Sequence, residues 1–242
     1  MPSLGLTGGW LNISGSIREL YIRTIASLRK PGEFFASIEE ERGIGRPFIF
    51  LLIVFSVTFL FLTYHHVELF NSILQQLART LASQGYPVPF KEIELNSTSY
   101  ALIYLGLVIS QVLITFFWYY VTHLCVRLVG GSGGYDQTYK AMTYSLSADY
   151  LTLPAFAVSL VSLTTTIASR SSVALAVFII STILYLIPSL YRLYLRLVGI
   201  EKLQSISKLR AFIAAYVLAY GVLLLAIFLF EAGIIAIVIM LS

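Results

Sequence analysis

Five stretches of this chain stay apolar for about the length of a membrane crossing, and polar, mostly basic segments separate them. They cover residues 47–64, 100–124, 141–168, 171–191 and 211–230. The first, PFIFLLIVFSVTFLFLTY, holds no charge, and the third holds only Asp149. A helix needs about 20 apolar residues to cross about 30 Å of hydrocarbon, so each run suffices. Five crossings put the two chain ends on opposite faces. Two further segments carry one-sided apolar stripes, the pattern of helices lying on a membrane surface. In the first, Ile17, Leu20, Tyr21, Ile25 and Leu28 recur at helical spacing, with Arg18, Arg23, Arg29 and Lys30 outside the stripe. Ser16 and Glu19 have the spacing of a capping box at its start. Pro31-Gly32 breaks this helix, and a short one follows with Phe34, Phe35 and Ile38 apolar and Glu39, Glu40 and Glu41 on the wet side. In the second, Leu69, Phe70, Ile73, Leu74, Leu77 and Leu81 form a stripe ending at Gly85. The pattern predicts an all-α polytopic bundle of five transmembrane helices with cytoplasmic and external interfacial helices. Residues 1–46 form its N-terminal region and residues 47–242 the membrane domain.

Composition agrees. Of 242 residues, 58% are hydrophobic and 12% charged, with mean hydropathy +0.85, which excludes an ordinary soluble domain and a disordered chain. The net charge of +4 would suit nucleic acid, but its placement points to topology. Of 16 Lys and Arg, all but Arg79, Lys91 and Arg170 fall on one side of the five spans. The positive-inside rule makes that side cytoplasmic, with the N-terminus inside, the C-terminus outside and the cell membrane as the expected location. No segment supplies a clustered basic face with stacking aromatics, so nucleic acid is not an expected partner. The first residues lack the basic region and apolar run of a signal peptide. Cys125 is the single cysteine, which excludes an intrachain disulfide.

Asp149 is the strongest lead for chemistry. A lone carboxylate inside a span must be paired, protonated or hydrated. Thr143, Tyr144, Ser145, Ser147, Tyr150 and Thr152 make its surroundings polar, and His123, Arg127 and Arg192 are candidate partners. One reading is an ion or proton site built from Asp149, His123, Ser145, Tyr144, Arg127 and Arg192. The other is a buried network that fixes helix packing. Ser145, His123 and Asp149 are also the residue types of a nucleophilic triad, but Ser145 lacks a nucleophile elbow, and no enzyme activity is expected. His65, His66 and Glu68 offer too few ligands for a metal, so neither metal nor cofactor is expected. The loop Gly130-Gly-Ser-Gly-Gly134 lacks the strand and the Gly-Lys-Ser/Thr ending of a phosphate loop, and reads as a turn between two membrane helices. Ala211, Ala215 and Ala219, followed by Gly221, allow close helix approach, within the bundle or at a homo-oligomer seam. Pro154 and Pro188 interrupt their helices' hydrogen bonding, and Arg192 and Arg196 are expected to snorkel to the inner surface. Asn96-Ser-Thr98 is an external glycosylation sequon. Glu231 is expected at the outer interface, either paired with Arg79 or Arg170 or facing water.

Three stretches carry a family resemblance. RKPGEFFASI (29–38), LVGGSGGYDQTYKAMTYS (128–145) and YLRLVGIEKLQSISKLRA (194–211) resemble, in order and spacing, the cytoplasmic segments of the Yip family of Ypt/Rab-interacting multi-pass membrane proteins. The layout is similar to its prokaryotic-type members, and the resemblance covers residues 29–230. It departs in carrying Ala148-Asp149 where members often have proline, and in lacking the acidic, tyrosine-containing motif of trafficking members. The resemblance implies a non-enzymatic scaffold or adaptor in contact with membrane lipids and with membrane or cytosolic protein partners. On that reading Gly130, Gly131, Gly133, Gly134, Tyr135, Phe34 and Phe35 belong to the partner surface. The alternative is a small transporter or channel at Asp149.

Overall fold

A computed structural model describes residues 13–41, 43–86, 96–169 and 171–228. Among them the chain is helical throughout, without strands. In chain order the helices are α1 (Ile13–Arg29), α2 (Pro31–Ser37), α3 (Gly45–Ser83), α4 (Ser97–Leu128), α5 (Tyr135–Ser145), α6 (Asp149–Ser169), α7 (Ser172–Gln204) and α8 (Lys208–Phe212). α8 continues through a π-helical stretch, Ile213–Leu218, to Phe228. Among the described residues four stretches are long and apolar enough to cross a membrane: Ser97–Leu128, Tyr135–Ile167, Ser172–Gln204 and Lys208–Phe228. A shorter apolar helix, Gly45–Leu60, opens α3. This is an integral, multi-pass membrane protein built as an all-helical bundle.

Local chemistry sets the helix ends. Asn96, Ser171 and Ser207 each accept a backbone N–H of the first turn, from Ser99, Ala174 and Arg210, as N-caps do. The Asn96 side chain of the sequon is thus already a cap. Pro31 opens α2, where its missing N–H is no loss. Gly85 and Gly130 terminate α3 and α4 with φ of +82° and +94°, a region that suits glycine.

Several boundaries differ from the sequence pattern. α1 begins at Ile13, so Ser16 lies inside its first turns rather than ahead of them, and Glu19 faces Arg23 and Arg46 at 3.0 and 3.5 Å. The stripe at 69–81 is not a separate helix. It continues the first span within the 39 residues of α3, about 58 Å long at 1.5 Å per residue. The third apolar run begins earlier, at Tyr135, and a 3₁₀ turn at Leu146–Ala148 divides α5 from α6. α7 passes Pro188 without ending and reaches Gln204, so most of the segment between the fourth and fifth apolar runs is helix.

Tight packing gathers at one end of the bundle. There α2, α5 and the last turns of α7 bury Phe35, Tyr139, Met142, Tyr144, Leu195 and Ile200. Away from this end, α4, α6 and α7 leave Leu102, Leu113, Val158 and Ile187 exposed, as a lipid-facing belt requires. Ala211, Ala214, Ala215 and Ala219 are fully buried in the core, where the π-helical stretch lies against α4. The small-residue stripe therefore serves packing inside the bundle, and Gly221 beyond it meets nothing within 4 Å.

Candidate functional site

The 3₁₀ turn makes Asp149 the first residue of α6, beside α7. Arg192 on α7 donates from Nη1 to both carboxylate oxygens, at 3.0 and 3.1 Å. The Asp149 side chain is 20% exposed and that of Arg192 35%. Of the three candidate partners, the geometry selects Arg192, which turns onto Asp149 instead of snorkelling. Arg196, one turn on, does not snorkel either. It is 8% exposed, with its guanidinium 5.8 Å from the Tyr216 ring centroid.

The other members of the expected polar group are engaged elsewhere. His123 Nδ1 shares a hydrogen bond with Thr138 Oγ1 at 2.9 Å, and Gln204 donates to the same hydroxyl at 2.8 Å. Arg127 donates to the carbonyls of Gly131 and Ser132 at 3.1 and 3.3 Å. Ser145 donates to the Met142 carbonyl at 2.6 Å, so Ser145, His123 and Asp149 do not assemble as a triad. Tyr144 accepts from Arg23 at 3.2 Å.

The glycine loop is a packed joint. Ser132 N–H donates to the Gln204 carbonyl at 3.1 Å, and Gln204 Nε2 donates to the Gly134 carbonyl at 3.0 Å. A Cβ at Gly133 would stand 2.5 Å from the Leu203 carbonyl oxygen, and one at Gly131 2.5 Å from Val126 Cγ1. Glycine is needed at Gly133 because the backbone of α7 lies in the way of any side chain, and at Gly131 because Val126 of α4 does. Gly130 and Gly134 remain exposed, while Gly131 is buried and Tyr135 half-buried.

Phe34 and Phe35 are not surface residues. They are 6% and 0% exposed, Phe34 lies edge-on to Tyr144 with centroids 5.1 Å apart, and Phe35 fills the space left by Gly199. Their assignment to a partner surface is corrected: α2 is amphipathic toward the bundle, so its aromatic face is core.

A polar network missed in the sequence holds this cap in place. Arg23 donates to Glu41 at 2.7 and 3.1 Å, and Ser27 Oγ donates to Ser147 Oγ at 2.8 Å. Tyr191 donates to the Leu28 carbonyl. Lys140 is fully buried and donates to the carbonyls of Glu41 and Ile38 and to Gln137, with Asp136 at 3.6 Å. It ties the chain after α2 to α5. The i, i+4 spacing of Asp136 and Lys140 was the available signal. The hydrogen bond from Arg23 holds the Glu41 carboxyl below its usual pKa, against the opposing effect of partial burial. A carboxyl with a lowered folded pKa contributes stability above its unfolded value, and loses it as pH falls through the lowered one. Between neutral pH and acid well below 4.5, the protein is therefore expected to lose more stability than Glu41→Gln does, measured by thermal unfolding across that range.

Between α1 and α2 a groove of about 830 Å³ is lined by Tyr21, Ile22, Ile25, Arg29, Lys30, Glu33 and Phe34. Among the described residues no group of three or more His, Cys, Asp or Glu gathers as metal ligands would. The side chains of His65, His66 and Glu68, together with Arg170 and Glu231, lie outside the described residues.

A family model described as the Yip1 domain matches residues 25–230, most of the chain and all of this network except Arg23. No curated protein and no solved structure matches.

Proposed function

The chain belongs to the Yip1 domain family, and we propose that it works as a non-enzymatic membrane scaffold or adaptor whose cytoplasmic cap recruits partners or organises membrane. The observation that carries this reading is the attachment of the cap. α1 and α2 are held on the bundle by Arg23, Ser27 and Lys140, while the outer side of the pair leaves an open groove. A rigidly seated groove is suited to binding, since little ordering remains to oppose it. Its rim carries Arg29 and Lys30, and Tyr21 and Ile22 stand exposed beside it. The placement of 13 of 16 basic residues supports a cytoplasmic orientation for this end. On this reading the partner surface is the groove together with the exposed Gly130, Ser132 and Gly134 of the loop, in place of Phe34 and Phe35. Transport through Asp149 has less support, because its carboxylate is already paired with Arg192.

Two measurements on the purified chain test the reading. Ile22→Asp lies on exposed surface, so thermal stability should be unchanged while a cytosolic partner retained by the native protein is lost. In liposomes, ion flux should not exceed that of protein-free vesicles. Flux that disappears in Asp149→Asn would overturn the scaffold reading in favour of transport.

A further inference from the structure

Two guanidinium groups, Arg192 and Arg196, stand near one carboxylate, Asp149, on the inner faces of α6 and α7. Asp149 is taken up by Arg192. Arg196 is more than nine-tenths buried, its Nε has no hydrogen-bond partner, and it makes no ion pair among the described residues. The Tyr216 ring covers one of its faces. A buried cation that must share its one nearby carboxylate with a second guanidinium is costly, so side chains of this kind are retained where something further pairs with them.

The surroundings supply further donors. Tyr119 on α4 lies within electrostatic reach of Arg192, Arg196 and Asp149, and beside the hydroxyl of Thr143. The buried hydroxyls of Thr143 and Tyr139 lie against each other, with Tyr119 beside them, and reach no other polar group. Arg196 precedes the end of α7 by eight residues, and Tyr216 follows the start of α8 by eight, so the site lies about 12 Å from that end of the bundle. The neighbourhood carries one net positive charge, an unpartnered Arg196 Nε and hydroxyls that meet only one another. That is the complement of an oxyanion with many acceptor lone pairs, which the planar Arg fork binds through two parallel bonds.

We propose that Arg196, backed by the Arg192–Asp149 pair and the Tyr119–Thr143 hydroxyls, is a buried binding site for a phosphate-type oxyanion, carried by a lipid headgroup or free in solution. The site is independent of the groove between α1 and α2, and it can fail while the scaffold reading stands.

The full chain, purified in phosphate-free non-ionic detergent, is titrated with inorganic phosphate in one arm and with phosphatidylglycerol in mixed micelles in the other. Acetate and chloride serve as controls, and thermal unfolding is the readout. A saturable rise in Tm of a few degrees is expected in at least one phosphate arm. Response in the lipid arm alone assigns the headgroup, and response to inorganic phosphate assigns the free anion. Arg196→Gln should bind about tenfold or more weakly, and without ligand it should be no less stable than the native chain. Arg196→Lys keeps the charge but not the fork and should fall between, which preserves the test if the Gln variant does not fold. No saturable rise in either arm, an equal rise in Arg196→Gln, or an equal response to acetate would overturn the site.

Discussion

Phe35→Ala is expected to destabilise the protein by about 3–5 kcal/mol, the range for removing a fully buried Phe from a packed core. Phe35 is 0% exposed and meets Phe34 edge-on at 5.2 Å. A Cβ at Gly199 would approach its ring to 2.9 Å, so α7 is already drawn close around it. Little of the cavity left by alanine could close, because Lys140, Arg23 and Ser27 fix α1 and α2 where they are. Chemical or thermal unfolding in detergent reads the effect directly. A residue that served a partner surface would instead lose binding at unchanged stability, and a loss under about 1 kcal/mol would show that α2 is not seated in the core.

The second large effect belongs to the ion pair. Asp149→Ala is expected to cost about 2–3 kcal/mol, below the usual range for breaking a buried pair because Arg192 keeps some access to its surroundings. The substitution would leave Arg192 and Arg196 together without an anion between α6 and α7. Arg192→Ala should cost a similar amount, and the double variant clearly less than the sum, with a coupling of about 1–2 kcal/mol. Coupling near zero would mean that the carboxylate and guanidinium do not interact, and the structural role of Asp149 would fall with it.

The apolar runs were legible because lipid leaves a spanning segment no polar alternative, and hydropathy therefore marks spans strongly. The break at Pro31 and the stop at Gly85 were legible for the same local reason, the loss of a helical donor or the tolerance of positive φ. What the sequence hid was the folding of the segments between the spans, and of those before the first, onto the bundle. Residues 192–204 looked like a basic loop because Arg192, Arg196 and Lys202 dominate a short window. They sit on a continuous helix whose other positions, Leu195, Val198 and Leu203, are core. Lys140 and Arg196 were counted as orientation charges, yet both are buried, a fate that charge statistics do not distinguish. Phe34 and Phe35 lay on the apolar side of a correctly placed helix, but periodicity does not reveal whether such a face meets lipid, a partner or the protein's own core. Asp149 stood out as a carboxylate that had to be paired, protonated or hydrated, and Arg192, which meets it, was among three candidate partners that only tertiary packing could separate.

The central claim is that the α1–α2 cap is part of the folded bundle, held where Ser27 meets Ser147. With their hydroxyl oxygens 2.8 Å apart, cysteines at these two positions should form a disulfide with little movement. The measurement uses Ser27→Cys and Ser147→Cys together in a Cys125→Ser background, oxidised mildly in native membranes, denatured and then labelled with a maleimide. The account predicts near-complete loss of labelling, restored by reduction, with both single variants labelling fully. Two thiols that remain free to label after oxidation would contradict it.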